Sequence, residues 1–375
     1  MIFLSGGVSQ LETWDPKPGT DTGGPFRAIP TTVPGVHVSE LLPYSAKQMH
    51  RLALVRSVNT GENDHGKGRY MMTRGRRQEA ASEYPHLGAV CAKGLAPERS
   101  PLPGYIKISP GGSGGSTRDS AYLGPKYDGI VLGNGKPPRN IARPGSLGAE
   151  ADARRNAFRR GLDESFLRQR RTAATEAYTY SYEQAKQLME RREVFDIAHE
   201  PPKDQERYGS HDFGRHCLLA RRLLENGVTF VQVTHTNYDT HFENFNYHIE
   251  QLGEFDKPFA TLIEDLDQRG MLESTLVVVM SEFGRTPRIN QTYGRDHWGK
   301  SWSVALAGCG VQPGATIGKT SKNGTEVTDR QVHHGHLFHT FLKAVGVDPT
   351  GEFDVGGRSL PVANPADAAI EELLA

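Results

Sequence analysis

The stretch TLVVVMSEFGRTPRINQTYGRDHWGKS, Thr275 to Ser301, carries the pattern that decides the fold. The run TLVVVM, Thr275 to Met280, is apolar after its first residue, so both faces of the strand read over 275–282 have to be covered. That fits a parallel strand with helices on either side rather than a half-solvated antiparallel one. The run stops at Ser281-Glu282, a loop follows, and Asp296-His297-Trp298 leads into a second apolar run, WSVALAG, residues 302–308. A carboxylate and an imidazole thus stand at the two ends of one loop. They are either metal ligands meeting in a cleft or parts of an ion-paired loop with nothing to bind.

Similar β-rich runs recur at residues 2–5 (IFLS), 52–58 (LALVRSV), 105–108 (YIKI) and 228–234 (VTFVQVT). Helical patterns separate them. HDFGRHCLLARRLLENG, 211–227, ends in Asn-Gly, a helix stop signal. Over 242–269 the positions Ile249, Leu252, Phe255, Phe259, Leu262 and Leu266 form a stripe spaced by threes and fours. Residues 163–198 hold a further long helical pattern. The alternation predicts an α/β fold, a three-layer sandwich whose central, mostly parallel sheet is flanked by helices. We read residues 1–375 as a single domain, with a Gly/Pro/Ser-rich surface excursion at about 109–150. Loops at the C-terminal strand ends are expected to carry the function.

Bulk properties exclude several classes. Lysine plus arginine equals aspartate plus glutamate, 44 each, so no global field recruits nucleic acid or an acidic membrane. Mean hydropathy is −0.55, and no apolar stretch approaches the ~18 residues of a membrane helix. The three cysteines are far apart and outside any CxxC, which leaves oxygen and imidazole as the metal-ligand chemistry, with 15 histidines available. No basic segment with an apolar export core is present, which is consistent with a cytoplasmic protein or with an export signal lying upstream.

Beyond the strand at 228–234 the segment HTNYDTHFENF places Asp239 and His241 at a strand end. With Glu282 and His297 they make an N/O donor set suited to zinc, manganese or another divalent ion. In the competing arrangement Asp239 caps the helix starting near Phe242, and Glu282 pairs with Arg285 or Arg295. In TGENDHGKGRYMMTRGRR, Thr60 to Arg77, Asp64-His65-Gly66 opens a helix beside Lys67, Arg69, Arg74 and Arg76. Such a terminus favours an oxyanion, with His65 as nucleophile or general base. The alternative is a solvated basic turn capped by Asp64. The Gly6-Gly7 turn offers backbone N–H groups, with Ser9 and Gln10 as further donors, or is simply a tight turn. Near the C-terminus His336 and His339 share a helix face, for which packing is the favoured role.

These motifs together resemble an uncharacterised sulfatase-like family, domain of unknown function 1501. The resemblance rests on YDTHFENF…SEFGRTP…GRDHW, on LSGGVSQLETWDPKPG and on NDHGKGRYMMTRGRR, and spans essentially the whole chain. It implies the alkaline phosphatase and sulfatase superfamily fold, attack on phosphate or sulfate esters, and export from the cytoplasm. It also implies one divalent ion (Zn, Mn or Ca) on Asp239, His241, Glu282 and His297. His65 and Arg69 would be catalytic. Gly6, Gly7, Ser9, Asp64, Lys67 and Arg285 would hold the oxyanion of an anionic small-molecule or glycan ester. Two departures stand out: Phe283 replaces a ligand histidine, and Ser5-Gly6-Gly7 replaces a first-strand aspartate. A catalytically degenerate binding or scaffold protein, and metal-free phosphotransfer through His65, are the rival expectations.

Overall fold

The computed structural model describes residues 1–80, 82–97, 100–111, 115–137, 141–169 and 173–375. The expected runs become strands β1 (Ile2–Leu4), β2 (Leu52–Val58), β3 (Tyr105–Ser109), β5 (Phe230–His235), β6 (Leu276–Met280) and β7 (Trp302–Gly308). Within the segment read as an excursion, Ile130–Gly133 forms a further strand, β4, beside β3. Its four residues were hidden by the surrounding glycines and prolines, although Leu132 is fully buried. The sheet runs β2-β7-β6-β1-β5-β3-β4, with two-residue strands at 316–317 and 115–116 on its edges. β1 is parallel to β5 and β6, and β3 to β5 and β4, whereas β7 is antiparallel to both β2 and β6.

Alternation along the strands divides the core in two. Ile2, Leu4, Ile106, Ile108, Val231, Val233, Val277 and Val279 face one layer. It contains helices α3 (Asp212–Glu225) and α4 (Asn244–Gln268), through Phe213, Leu218, Leu252, Phe255 and Phe259. Phe3, Tyr105, Phe230, Val278, Met280, Val304 and Leu306 face the other. There α1 (His65–Arg74), α2 (Leu87–Leu95) and α5 (His334–Ala344) supply Met72, Val90, Leu337 and Phe341. In α4 the inward face runs through Asn244, His248 and Leu252 and leaves out Ile249, which is 50% exposed. The long pattern at 163–198 resolves into helices at Ala149–Gln169 and Ala173–Glu190, followed by short helical turns. Among the described residues no helix is long and apolar enough to cross a membrane.

Candidate metal centre

Four chain segments meet where β1, β5 and β6 end. His65 is the first residue of α1; Asp64 caps that helix by accepting from the Lys67 N–H at 2.9 Å. A side chain at Gly68 would lie 2.9 Å from the Glu282 carbonyl oxygen, so glycine is what lets α1 rest on the end of β6. Asp239 and His241 follow β5. Gly6, at φ 120°, makes room for them: a Cβ there would lie 2.4 Å from the Asp239 nitrogen. His297 pairs with Arg285 in a two-residue antiparallel ladder that folds the loop after β6 back onto the site.

The hydrogen bonds fix how the imidazoles face. His65 Nδ1 lies 2.8 Å from Glu282 Oε1, His241 Nδ1 2.8 Å from Asp296 Oδ1, and His297 Nδ1 2.7 Å from the Asn63 carbonyl. Each partner is an acceptor, so each Nδ1 carries the proton and each Nε2 presents a lone pair. Those Nε2 atoms converge on Asp239. His65 Nε2 is 3.3 Å from Oδ2, while His241 and His297 are 3.1 and 3.2 Å from Oδ1 and 2.9 Å from each other. Unprotonated nitrogens this close repel one another unless a cation or proton lies between them. An ion bound tetrahedrally at about 2.0–2.1 Å separates its donors by roughly 3.3 Å, so the donors present fit such an ion. Candidate ligand atoms of His65, Asp239 and His297 all lie within 4.8 Å of one another. His241 joins through its contacts with Asp239 and His297.

Electrostatics support the same arrangement. Burial works to raise the Asp239 pKa, but the Arg285 hydrogen bond and charge, with His297 and His65, hold it at about 2. Burial likewise opposes ionisation of Glu282, yet the His65 hydrogen bond and the Gly6 N–H keep it below the usual range. The Glu282 hydrogen bond raises His65, and burial lowers His297. Acceptors behind the imidazole Nδ1 atoms, two carboxylates and one backbone carbonyl here, are the usual outer shell of a metal-binding histidine.

Several candidate residues occupy other roles. Glu282 is completely buried, accepting from His65 at 2.8 Å and from the Gly6 N–H at 3.0 Å, and its carboxylate is not among the candidate ligand atoms that lie within 4.8 Å of one another. Arg285 is fully buried and spends all three guanidinium nitrogens inside the protein, on Gly6 and Gly7 carbonyls, the Arg295 carbonyl and Asp239. Gly7 N–H donates to Ser281 Oγ, so neither turn glycine offers a free amide. Ser9 is buried, its N–H held by His248 Nε2 at 3.2 Å. Asp64 is occupied as a cap, and Lys67 is exposed beside it. Arg69 is exposed and donates to Ser5 Oγ at 2.7 Å. Arg295 pairs with Glu12 at 2.8 Å, both fully buried, and Asp239 caps no helix. Phe283, buried, lies with its ring centre 4.9 Å from that of His65 and 4.5 Å from that of His297, forming the apolar floor of the cluster. Sequence reasoning missed Asp296 and the Asn63 carbonyl; Asp296 was adjacent to a candidate ligand, while a backbone carbonyl leaves no residue signal.

A second group, His333, His336 and Asp367, also has ligand atoms close together. Its chemistry differs. His333 Nδ1 accepts from Gly335 N–H and His336 Nδ1 accepts from His333 N–H, forming a capping box at the start of α5. Both Nε2 atoms therefore carry the proton when neutral, and His333 turns its own toward Asp367 at 3.4 Å. This is helix capping, and His339, held by the Asn364 carbonyl at 2.8 Å, takes no part.

The fold and the cluster define a three-layer α/β protein with a histidine–aspartate centre at the C-terminal strand ends. The chain belongs to the family described as protein of unknown function (DUF1501), whose model matches residues 1–374. Among solved structures it is similar to Ps i-CgsB, at 9% identity over 92% of this chain and 71% of that one, with a TM-score of 0.44. It is also similar to the lipoteichoic acid synthase LtaP from Listeria monocytogenes, at 8% identity over 97% and 74%, TM-score 0.41. Alkaline phosphatase from the Antarctic bacterium TAB5 matches at 12% identity over 92% and 97%, TM-score 0.39. Among curated proteins none matches.

Proposed function

We propose that the protein is a metal-dependent hydrolase of phosphate or sulfate esters. The observation that carries this reading is the convergence of three imidazole Nε2 lone pairs on the Asp239 carboxylate. His65, Asp239, His241 and His297 would hold a divalent ion. Three nitrogens and a carboxylate suit zinc better than calcium, which prefers oxygen donors. When bound, the ion supplies Lewis-acid polarisation of the ester oxygen. The chain's own groups do the rest. Glu282 and Asp296 hold His65 and His241 in the required tautomer, and Arg285 keeps Asp239 ionised. Arg69, one turn along α1 from His65, brings an exposed guanidinium beside the Ser5 hydroxyl, where an ester oxyanion would gain charge stabilisation. The ester class rests on the motif resemblance and on this cation.

The test is to purify the chain without a histidine tag, measure bound metal, and assay aryl phosphates and aryl sulfates. Wild type should hold zinc or manganese and turn over one ester class, and D239A and H297A should lose both. Turnover surviving both substitutions in metal-free protein overturns the reading.

A binding protein without turnover is the second reading, favoured by one observation. The amides of Gly6 and Gly7 and the whole Arg285 guanidinium are consumed internally, which leaves few free oxyanion donors. Saturable binding of a sulfated oligosaccharide with no product, by metal-loaded protein, would establish it. Metal-free phosphotransfer through His65 is disfavoured, because the Asp239 carboxylate faces its Nε2 at 3.3 Å and would repel an incoming phosphoryl group.

A further inference from the structure

On the sheet face that packs against α1 and α2, β3 and β5 change character along their length. They begin with Tyr105 and Phe230, buried under α2, and end with Lys107, Ser109, Gln232 and Thr234. Because side chains alternate, all of these point to one face. Lys107 is in register with Gln232, and Thr234 with Phe3. Of the four polar residues, Gln232 is buried and accepts from the Tyr105 hydroxyl at 3.3 Å, whereas Lys107, Ser109 and Thr234 are partly exposed.

Basic side chains lie beside that end of the sheet. Arg69 lies over the Phe3 ring, its guanidinium carbon 5.5 Å from the ring centre, and reaches Ser5 at the edge of the metal centre. Arg74, one turn further along α1, pairs with Asp119 at 3.2 Å. Lys107 is half-buried, and among the described residues its ammonium meets no hydrogen-bond acceptor. The charged groups facing it are Asp119, Arg69 and Arg74, of which Asp119 is already matched by Arg74. Burial and the two arginines lower the Lys107 pKa against the pull of Asp119, as expected for an ammonium short of counter-charge. This end of the sheet therefore carries an excess of positive charge from Lys107 and Arg69.

We propose that this basic end of the sheet face is a second anion subsite, with Lys107 as its principal contact, which receives a further sulfate or phosphate group of a substrate bearing more than one. It rests on the ester-hydrolase reading for the word substrate, but the site itself is a binding claim independent of turnover. Lys107 stands two strands from Ser5 and four rows lower in the sheet, a backbone separation of roughly 16 Å from strand spacing and rise. The anion at Lys107 is thus a different group from the one beside the metal centre. A compact polyanion spans such a distance; a single sulfate ion does not.

The experiment uses the full chain and calorimetric titration with two probes, sucrose octasulfate and inorganic sulfate, with and without added zinc. K107Q should weaken sucrose octasulfate about tenfold and sulfate by less than about twofold, with the circular dichroism spectrum and zinc stoichiometry unchanged. K107R should restore most of the loss. K257Q, which removes an exposed charge from α4 on the opposite face of the sheet, controls for net charge. Equal losses in K107Q and K257Q, equal losses for both probes, or no octasulfate binding by wild type would each overturn the subsite. If zinc binding and turnover fail but the K107Q loss persists, the subsite stands and the hydrolase reading falls.

Discussion

Replacing Glu282 with glutamine separates the two roles a buried carboxylate at this strand end can have. In the structure Glu282 accepts from His65 Nδ1 at 2.8 Å and from Gly6 N–H at 3.0 Å, and it is completely inaccessible. Glutamine has nearly the same shape and keeps one acceptor oxygen, so the change removes charge while leaving a hydrogen-bond partner. A charge-assisted hydrogen bond is about twice as strong as a neutral one, so His65 would lose part of what sets its tautomer and basicity. Outer-shell substitutions of this kind cost about 10–100-fold in metal affinity, or roughly 1.4–2.8 kcal/mol. The assay is zinc competition against a chromogenic chelator, with E282Q, D239A and wild type side by side. E282Q should keep the wild-type stoichiometry with weakened affinity, and D239A should lose the site. Unchanged affinity in E282Q would refute the orienting role. Loss of stoichiometric binding in E282Q, equal to that of D239A, would instead put Glu282 itself among the ligands.

Three other outcomes follow from particular contacts. E12Q leaves the fully buried Arg295 without its carboxylate, so urea unfolding should show a loss of about 3–5 kcal/mol. G6A places a methyl 2.4 Å from the Asp239 nitrogen at φ 120°; zinc affinity and thermal midpoint should both fall, whereas G61A, where nothing lies within 4 Å, should leave zinc affinity unchanged. Burial lowers the pKa of His86, which caps α2, from 6.5 to about 3. The unfolded chain therefore takes up a proton near pH 6.5 that the folded chain refuses, so stability is full above that value and falls as the pH drops. Between pH 7.5 and pH 5 the loss should be about 2 kcal/mol in urea titrations, and H86N should flatten this part of the profile.

The strands were legible because parallel strands buried on both faces leave unbroken apolar runs, as at Leu52–Val58 and Leu276–Met280. β4 was not, since four residues amid glycine and proline carry too little pattern. At the centre, strand-end position pointed to Asp239, His241, Glu282 and His297 as donors, and a helix start pointed to His65 as a nucleophile or general base. It could not show which way each side chain turns. Glu282 and His65 are both near the site, and their division into orienting group and donor depends on a bond between residues 217 positions apart. Arg285 illustrates the same limit: its sequence neighbourhood suggests an anion-binding cation, whereas Gly6 and Gly7, 279 and 278 positions away, claim its donors.

Histidine count and spacing also fail to distinguish the two clusters of this chain, and the polarity of one hydrogen bond does. At the strand ends Nδ1 meets acceptors, so the nitrogens that converge are bare; at the start of α5 Nδ1 meets backbone donors, so the outward nitrogens carry protons. Bringing bare nitrogens within 2.9 Å of one another is unfavourable by itself, and something must hold them there. That frame is visible: Arg285 ties Asp239 to the Gly6-Gly7 turn, and the Glu12–Arg295 pair anchors the loop that returns His297. Both cations are buried at a desolvation cost that hydrophobic replacements would avoid. On the proposed metal-site reading such a cost is intelligible, because a donor set held rigidly in advance loses little entropy when it binds an ion. The polar interior of this strand-end region is thus better explained by preorganisation than by stability.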